Sequence, residues 1–289
     1  MRAFRCGQVH HVYIRGKNGW VIFYSLEDCI LFYTMYMSLA KRYGIKVYAF
    51  CIMPNHVHSA ESAPDESSFV TFHMHLESQF AREYNMHHGR KGTLFEPAFG
   101  FAPKLVGKKV RETLSYILNN PVVGGLSNNA LEYRWNILAY CENNHPFSIP
   151  TRLSSATKPF RRAIKIVDGQ LERGLHLRYG MLESIFAMVS RSEKQQLIDH
   201  IISRYNRLDY SILEDNYGSF ERALLVFDSS SGSEHDIQED WDDYSVYTDM
   251  IKTASSLGED MRACNFEGKT KTELDYLVSS FKFRGISSS

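Results

Sequence analysis

The chain reads as an α+β protein: a ferredoxin-like split βαβ core with an antiparallel sheet, followed by a mainly α-helical C-terminal region. Three features support this. Within the first 105 residues, β-branched and aromatic segments alternate with stretches of helical periodicity in the order strand, helix, strand, strand, helix, strand. Pro54-Asn55, a turn-favouring pair, separates the two middle strands. From Asp168 onward helical patterns dominate.

Residues 9–14 form the first expected strand. Residues 26–43 are apolar and aromatic at helical spacing, with Ser25 as N-cap and Gly44 as stop. Residues 45–53 and 56–60 are the hairpin strands. A second helix opens at Asp65 or Ser67 and runs to about residue 87, ended by Gly89. Residues 99–105 are a strand, and residues 108–120 a helix that stops at Pro121. Tyr33, Tyr36, Tyr43, Phe72 and Phe80 recur at helical spacing and are expected in the core.

The expected domains are 1–150, a connector at 151–167, and a helical domain at 168–289 with a polar, acidic linker near 229–245. Helices are expected at 181–189, 193–205, 221–227, 248–257 and 270–281. A helix-turn-helix in this tail would read duplex DNA, and a packing or protein-interaction domain is the alternative that its acidity favours.

At 289 residues and 44% hydrophobic, the chain can bury a substantial core. No apolar run reaches the roughly 18 residues of a membrane helix, and the N-terminus lacks a signal-peptide core, so no membrane partner and a cytoplasmic location are expected. Five cysteines without Cys-x-x-Cys spacing argue against a disulfide scaffold or zinc ribbon. The net charge of zero hides an asymmetry. Residues 1–150 hold 15 Lys and Arg against 11 Asp and Glu, residues 151–180 hold 7 against 2, and residues 181–289 hold 11 against 20. A basic excess in the first 180 residues suits contact with phosphates.

His56 and His58 are two apart on a strand, so both imidazoles leave one face. That pair is most of a divalent-metal site, though taken alone it also fits a solvated, alternating strand. Tyr116 and Asn120 are i and i+4 on a helix and share a face. A phenol is a possible covalent nucleophile and an amide oxygen a hard metal ligand; alone, the two also fit a half-buried aromatic and a helix C-terminal residue. His10 and His11 point to opposite faces, so one of them could approach the site. His73 and His75 diverge on a helix and, with His87 and His88, are expected at the surface.

Four blocks in order and spacing resemble the HUH superfamily of single-strand DNA endonucleases, and within it the REP-associated tyrosine transposases. They are His10-His11-Val-Tyr-Ile-Arg15-Gly16, Val47 through Pro54-Asn55-His56-Val57-His58, Gly92-Thr93-Leu94-Phe95, and Tyr116-Ile-Leu-Asn-Asn120-Pro121-Val122. The resemblance covers about residues 5–150. It implies a divalent metal, Mg2+ or Mn2+, held by His56, His58 and a further ligand from the position of Asn120. It also implies that Tyr116 attacks the scissile phosphate, giving a 5′-phosphotyrosine bond and a free 3′-hydroxyl. Single-stranded or hairpin DNA is the implied partner. Arg15, Lys17, Lys104, Lys108 and Lys109 are the expected DNA contacts, and the protein acts as a monomer or homodimer. Relatives often carry a basic residue or two after Gly-Thr-Leu-Phe, whereas this chain reads Glu96-Pro-Ala-Phe-Gly-Phe101 before Lys104. A non-cleaving DNA-binding protein that keeps the fold, and a hydrolytic phosphodiesterase that uses water, are the competing expectations.

Overall fold

The structure, a computed structural model, describes residues 4–97, 99–105, 107–229 and 245–256. Strands β1 (Val9–Arg15), β2 (Lys46–Met53), β3 (His56–Ser62) and β4 (Gly100–Lys104) form an antiparallel sheet in the order β2-β3-β1-β4. With α1 (Leu26–Tyr43) between β1 and β2 and α2 (Glu66–His87) between β3 and β4, this is the split βαβ order expected.

Local chemistry sets the ends of α1. The Ser25 hydroxyl accepts from the Asp28 amide while the Asp28 carboxylate accepts from the Ser25 amide, a reciprocal capping box. Gly44 closes the helix at φ 67°, where a Cβ would be strained. Asp65 caps α2 by accepting from the Ser68 amide.

Alternation divides the sheet into two faces. Val12, Ile14, Phe50, Ile52 and Val57 are buried toward α1 and α2, where Phe50 packs its ring against Tyr33 and Tyr36 and Phe72 meets Tyr36 edge-on. Each such buried aromatic contributes about 1.5–3 kcal/mol. Glu61 lies on this face too, bonded by the Tyr36 hydroxyl, by Ser59 Oγ at 3.1 Å and by His73 Nε2 at 2.5 Å. His73 is therefore not at the surface as the sequence suggested. It sits on the same α2 stripe as Phe69, Phe72 and Leu76, and the Glu61 carboxylate satisfies its buried Nε2. His75 is exposed, as expected, and its ring nitrogen meets the Tyr43 hydroxyl at 2.5 Å.

The other face receives α3 (Gly107–Val123). This helix does not stop before Pro121, as expected, but continues through it. A proline in the last turn forfeits one backbone bond, and the Asn120 and Pro121 carbonyls are taken by the amides of Gly124 and Leu126, each at 2.8 Å. Gly100 on β4 is fixed by sterics, since a Cβ there would fall 1.9 Å from the Tyr13 ring.

The C-terminal helices pack on this core. Helix α4 (Lys158–Glu172), capped by Thr157, begins inside the stretch expected as a connector. It is followed by α5 (Tyr179–Ala187), α6 (Arg191–Tyr205), α7 (Ser211–Tyr217), α8 (Phe220–Ser229) and α9 (Ser245–Ser256). The Tyr33 hydroxyl of α1 donates to the Ile202 carbonyl of α6 at 3.0 Å, and the Asp209 amide donates to the Val47 carbonyl at 2.8 Å, covering the edge of β2. Asp199 on α6 is a buried hub that accepts from Arg134, the Tyr140 hydroxyl, the Phe147 amide and Ser148 Oγ. Most of the acidic linker and the expected helix at 270–281 lie outside the described residues, as does Cys264; no disulfide links Cys6, Cys29, Cys51 and Cys141 to one another. No described helix is long and apolar enough to cross a membrane.

Candidate active site between the sheet and α3

The turn at Pro54-Asn55 delivers His56 and His58 onto the face of β3 that α3 covers, their ring centroids 4.6 Å apart and their planes at 77°. Tyr116, in the middle of α3, sets its ring edge-on to His58 at 5.2 Å and to His11 at 5.5 Å. His11 reaches the site from β1, with its Nε2 3.0 Å from His58 Nδ1. His10, its neighbour, faces the opposite side and stacks on Phe4. The strand alternation noted in the sequence resolves to His11 on the site face and His10 behind it.

These side chains are closed to solvent: His56 is 4% exposed, His58 0%, Tyr116 3% and Asn120 2%. Burial, first of all, holds the pKa of His56 and His58 well below the ordinary histidine value; repulsion between the protonated form and its neighbours adds to it, from His58, Arg15 and His11 for His56, and from His11 for His58. Both imidazoles are thus neutral at physiological pH, the form that ligates a metal.

Asn120 lies one turn beyond Tyr116, and its Oδ1 is buried with no hydrogen-bond partner among the described residues. Two neutral imidazole nitrogens and a buried amide oxygen are donors that suit a divalent ion. Among the described residues no cluster of three or more His, Cys, Asp and Glu could hold a metal, so the amide oxygen would have to complete the set.

The expected DNA contacts divide. Arg15 pairs in register with His56 across β1 and β3, and its charge is near enough to depress that imidazole. Lys17 is half-exposed in the following turn, its amide donating to the Leu94 carbonyl at 2.9 Å. Lys108 and Lys109, at the start of α3, both approach the Glu112 carboxylate, at 3.8 and 3.7 Å. Lys104 is only 1% exposed, on the β4 position opposite Val9. Glu96, which follows Gly92-Thr93-Leu94-Phe95, has a local task. Its Oε1 accepts from the Asn18 amide at 2.7 Å and its amide donates to the Arg15 carbonyl, pinning the turn after β1.

The sequence did not single out Asn55, whose Oδ1 accepts from His56 Nδ1 at 2.7 Å. Its position next to His56 in a tight turn was the available signal.

Residues 9–120 match the family model described as "Transposase IS200 like". A solved structure, "Structure of the REP associates tyrosine transposase bound to a REP hairpin", is similar at 18% identity and a TM-score of 0.40, covering 47% of this chain and 79% of that chain. No curated protein matches.

Proposed function

We propose, from the match of residues 9–120 to the family model described as "Transposase IS200 like", that the protein is a metal-dependent single-strand DNA endonuclease and strand transferase. Its substrate is single-stranded or hairpin DNA. The observation that carries this reading is the packing of the Tyr116 ring against His58, itself beside His56, within one chain.

Tyr116 is the nucleophile. Its oxygen forms a bond to phosphorus as the phenol gives up its proton, and the 3′-oxygen of the cleaved strand leaves as a hydroxyl. The phosphotyrosine bond keeps the energy of the phosphodiester, so another 3′-hydroxyl can reverse the step and join DNA without a nucleotide cofactor. His56, His58 and Asn120 would hold the divalent ion, Mg2+ or Mn2+, which when bound supplies Lewis-acid polarisation of the phosphate. Arg15, beside His56 in the sheet, offers its guanidinium to the same phosphate, and Lys17, Lys108 and Lys109 lie on neighbouring turns to meet the backbone. Tyr116 and both histidines are buried, so in this reading the packing of α3 on the sheet opens for a strand to reach them. The work is done in the cytoplasm, by a monomer or homodimer.

Incubating the protein with a labelled library of single-stranded hairpins and Mn2+, then separating the products under denaturing conditions, tests this. DNA should remain attached to the wild type and not to Tyr116→Phe. Binding without attachment favours a non-cleaving DNA-binding protein, and cleavage without attachment favours hydrolysis by water.

A further inference from the structure

Each of the two histidines has a side-chain partner on its Nδ1, and the two partners are different residues from different elements. His56 Nδ1 lies 2.7 Å from Asn55 Oδ1, while Asn55 Nδ2 donates to the Gly19 carbonyl at 3.4 Å. The second contact fixes the orientation of the amide, because Nδ2 must face the carbonyl and Oδ1 must face the imidazole. Oδ1 can only accept, so His56 Nδ1 carries the hydrogen and Nε2 the lone pair. His58 Nδ1 meets His11 Nε2 at 3.0 Å, across the β1–β3 pairing. Here either nitrogen could donate, and one hydrogen serves both. If His58 is to offer Nε2 to an ion, its Nδ1 must donate and His11 must accept.

We infer that Asn55 and His11 are positioning residues: they set the tautomer and ring orientation of His56 and His58 so that both present Nε2 lone pairs to one divalent ion. This deepens the proposed metal site and rests on it. A partner that fixes the remote nitrogen of an imidazole ligand raises its basicity and removes rotational freedom, and loss of such a partner typically weakens metal binding about 10- to 100-fold. The arrangement also explains why a buried histidine on β1 that is not itself expected to ligate points into the site. His11 touches both His58 and the Tyr116 ring, so the same residue that orients a ligand flanks the nucleophile.

The test uses the full chain with its histidines labelled with 15N. Side-chain nitrogen shifts are recorded without metal or DNA, and Mn2+ is then titrated alone. In the wild type both His56 and His58 should show Nδ1–H and a bare Nε2. Asn55→Leu should disturb the tautomer of His56 and leave His58 unchanged; His11→Phe should do the reverse. Each should weaken Mn2+ binding about tenfold or more, with Asn55→Asp and His11→Gln, which keep an acceptor, recovering part of the loss. Variants with normal circular dichroism, unaltered tautomers and wild-type Mn2+ affinity would overturn the inference, as would Nε2–H on either histidine in the wild type. The tautomer readout needs no ion. A wild type with the stated tautomers that binds no Mn2+ sinks the metal reading, and this role with it, whereas normal Mn2+ binding that the variants do not alter sinks the positioning role alone.

Discussion

Tyr116 and His58 of one chain meet edge to face, with ring centroids 5.2 Å apart and planes at 75°. The proposed nucleophile and one of the proposed metal-binding histidines therefore come together without a second subunit. In a dimer that exchanges α3, the same residues would complete each other's sites.

Complementation separates the two arrangements. Tyr116→Phe and His58→Ala should each be inactive, and an equimolar mixture of them, co-refolded to allow subunit exchange, should stay inactive. Recovery of about a quarter or more of wild-type adduct would show that Tyr116 serves its partner's histidines; nothing in the single-chain packing predicts that outcome.

Helix α3 is held from outside by Tyr217 of α7, whose hydroxyl sits 3.0 Å from Ser115 Oγ and donates to the Arg111 carbonyl at 2.7 Å. Ser115 directly precedes Tyr116, the proposed nucleophile. Tyr217→Phe should cost about 1 kcal/mol of stability, the net worth of a typical hydrogen bond. Hydrogen exchange should quicken at the amides of α3 more than at those of α1; uniform exchange across both helices would contradict this clamp.

Asp199 gathers four donors from residues 134–148 onto α6, including Arg134 Nη1 at 3.1 Å and the Tyr140 hydroxyl at 2.7 Å. Removing the carboxylate leaves a mostly buried guanidinium without its ion-pair partner. Asp199→Ala should destabilise the fold by roughly 3–5 kcal/mol in chemical denaturation; a loss below about 1 kcal/mol would contradict the hub.

Glu77 on α2 has its pKa raised to about 7, chiefly by burial, with His73 pulling weakly the other way. A carboxyl whose folded value lies above its unfolded one favours the fold when protonated; that contribution is whole below about pH 4.5 and is lost as pH rises through 7. Glu77→Gln, which stays neutral, should therefore gain on the wild type as pH rises, by about 2.5 kcal/mol between pH 5 and pH 8 in thermal unfolding. An equal difference at both values would contradict the shift.

Much of this was legible from local chemistry. Ser25, Asp28 and Gly44 bound α1 by rules that act within one turn, and the His-x-His and Tyr-x-x-x-Asn spacings placed their side chains on shared faces. What stayed hidden depends on partners far along the chain. His73 is buried because Glu61 lies opposite it in the fold, and nothing within α2 announces that partner. Helix α3 runs through Pro121, and the carbonyls of Asn120 and Pro121 are closed by the amides of Gly124 and Leu126, beyond the point where the proline signals a stop. His11 enters the site through β1–β3 register, which alternation alone narrows only to His10 or His11. The hub at Asp199 joins residues that are 51 to 65 positions apart.

The most direct measurement is the site of attachment. After reaction with a cleavable hairpin and Mn2+, the protein is digested with nuclease and protease, and its peptides are weighed for a residual nucleotide. A 5′-linked nucleotide is expected on the peptide that contains Tyr116 and on no other. A nucleotide on a different tyrosine, or cleaved DNA with every peptide unmodified, would contradict it.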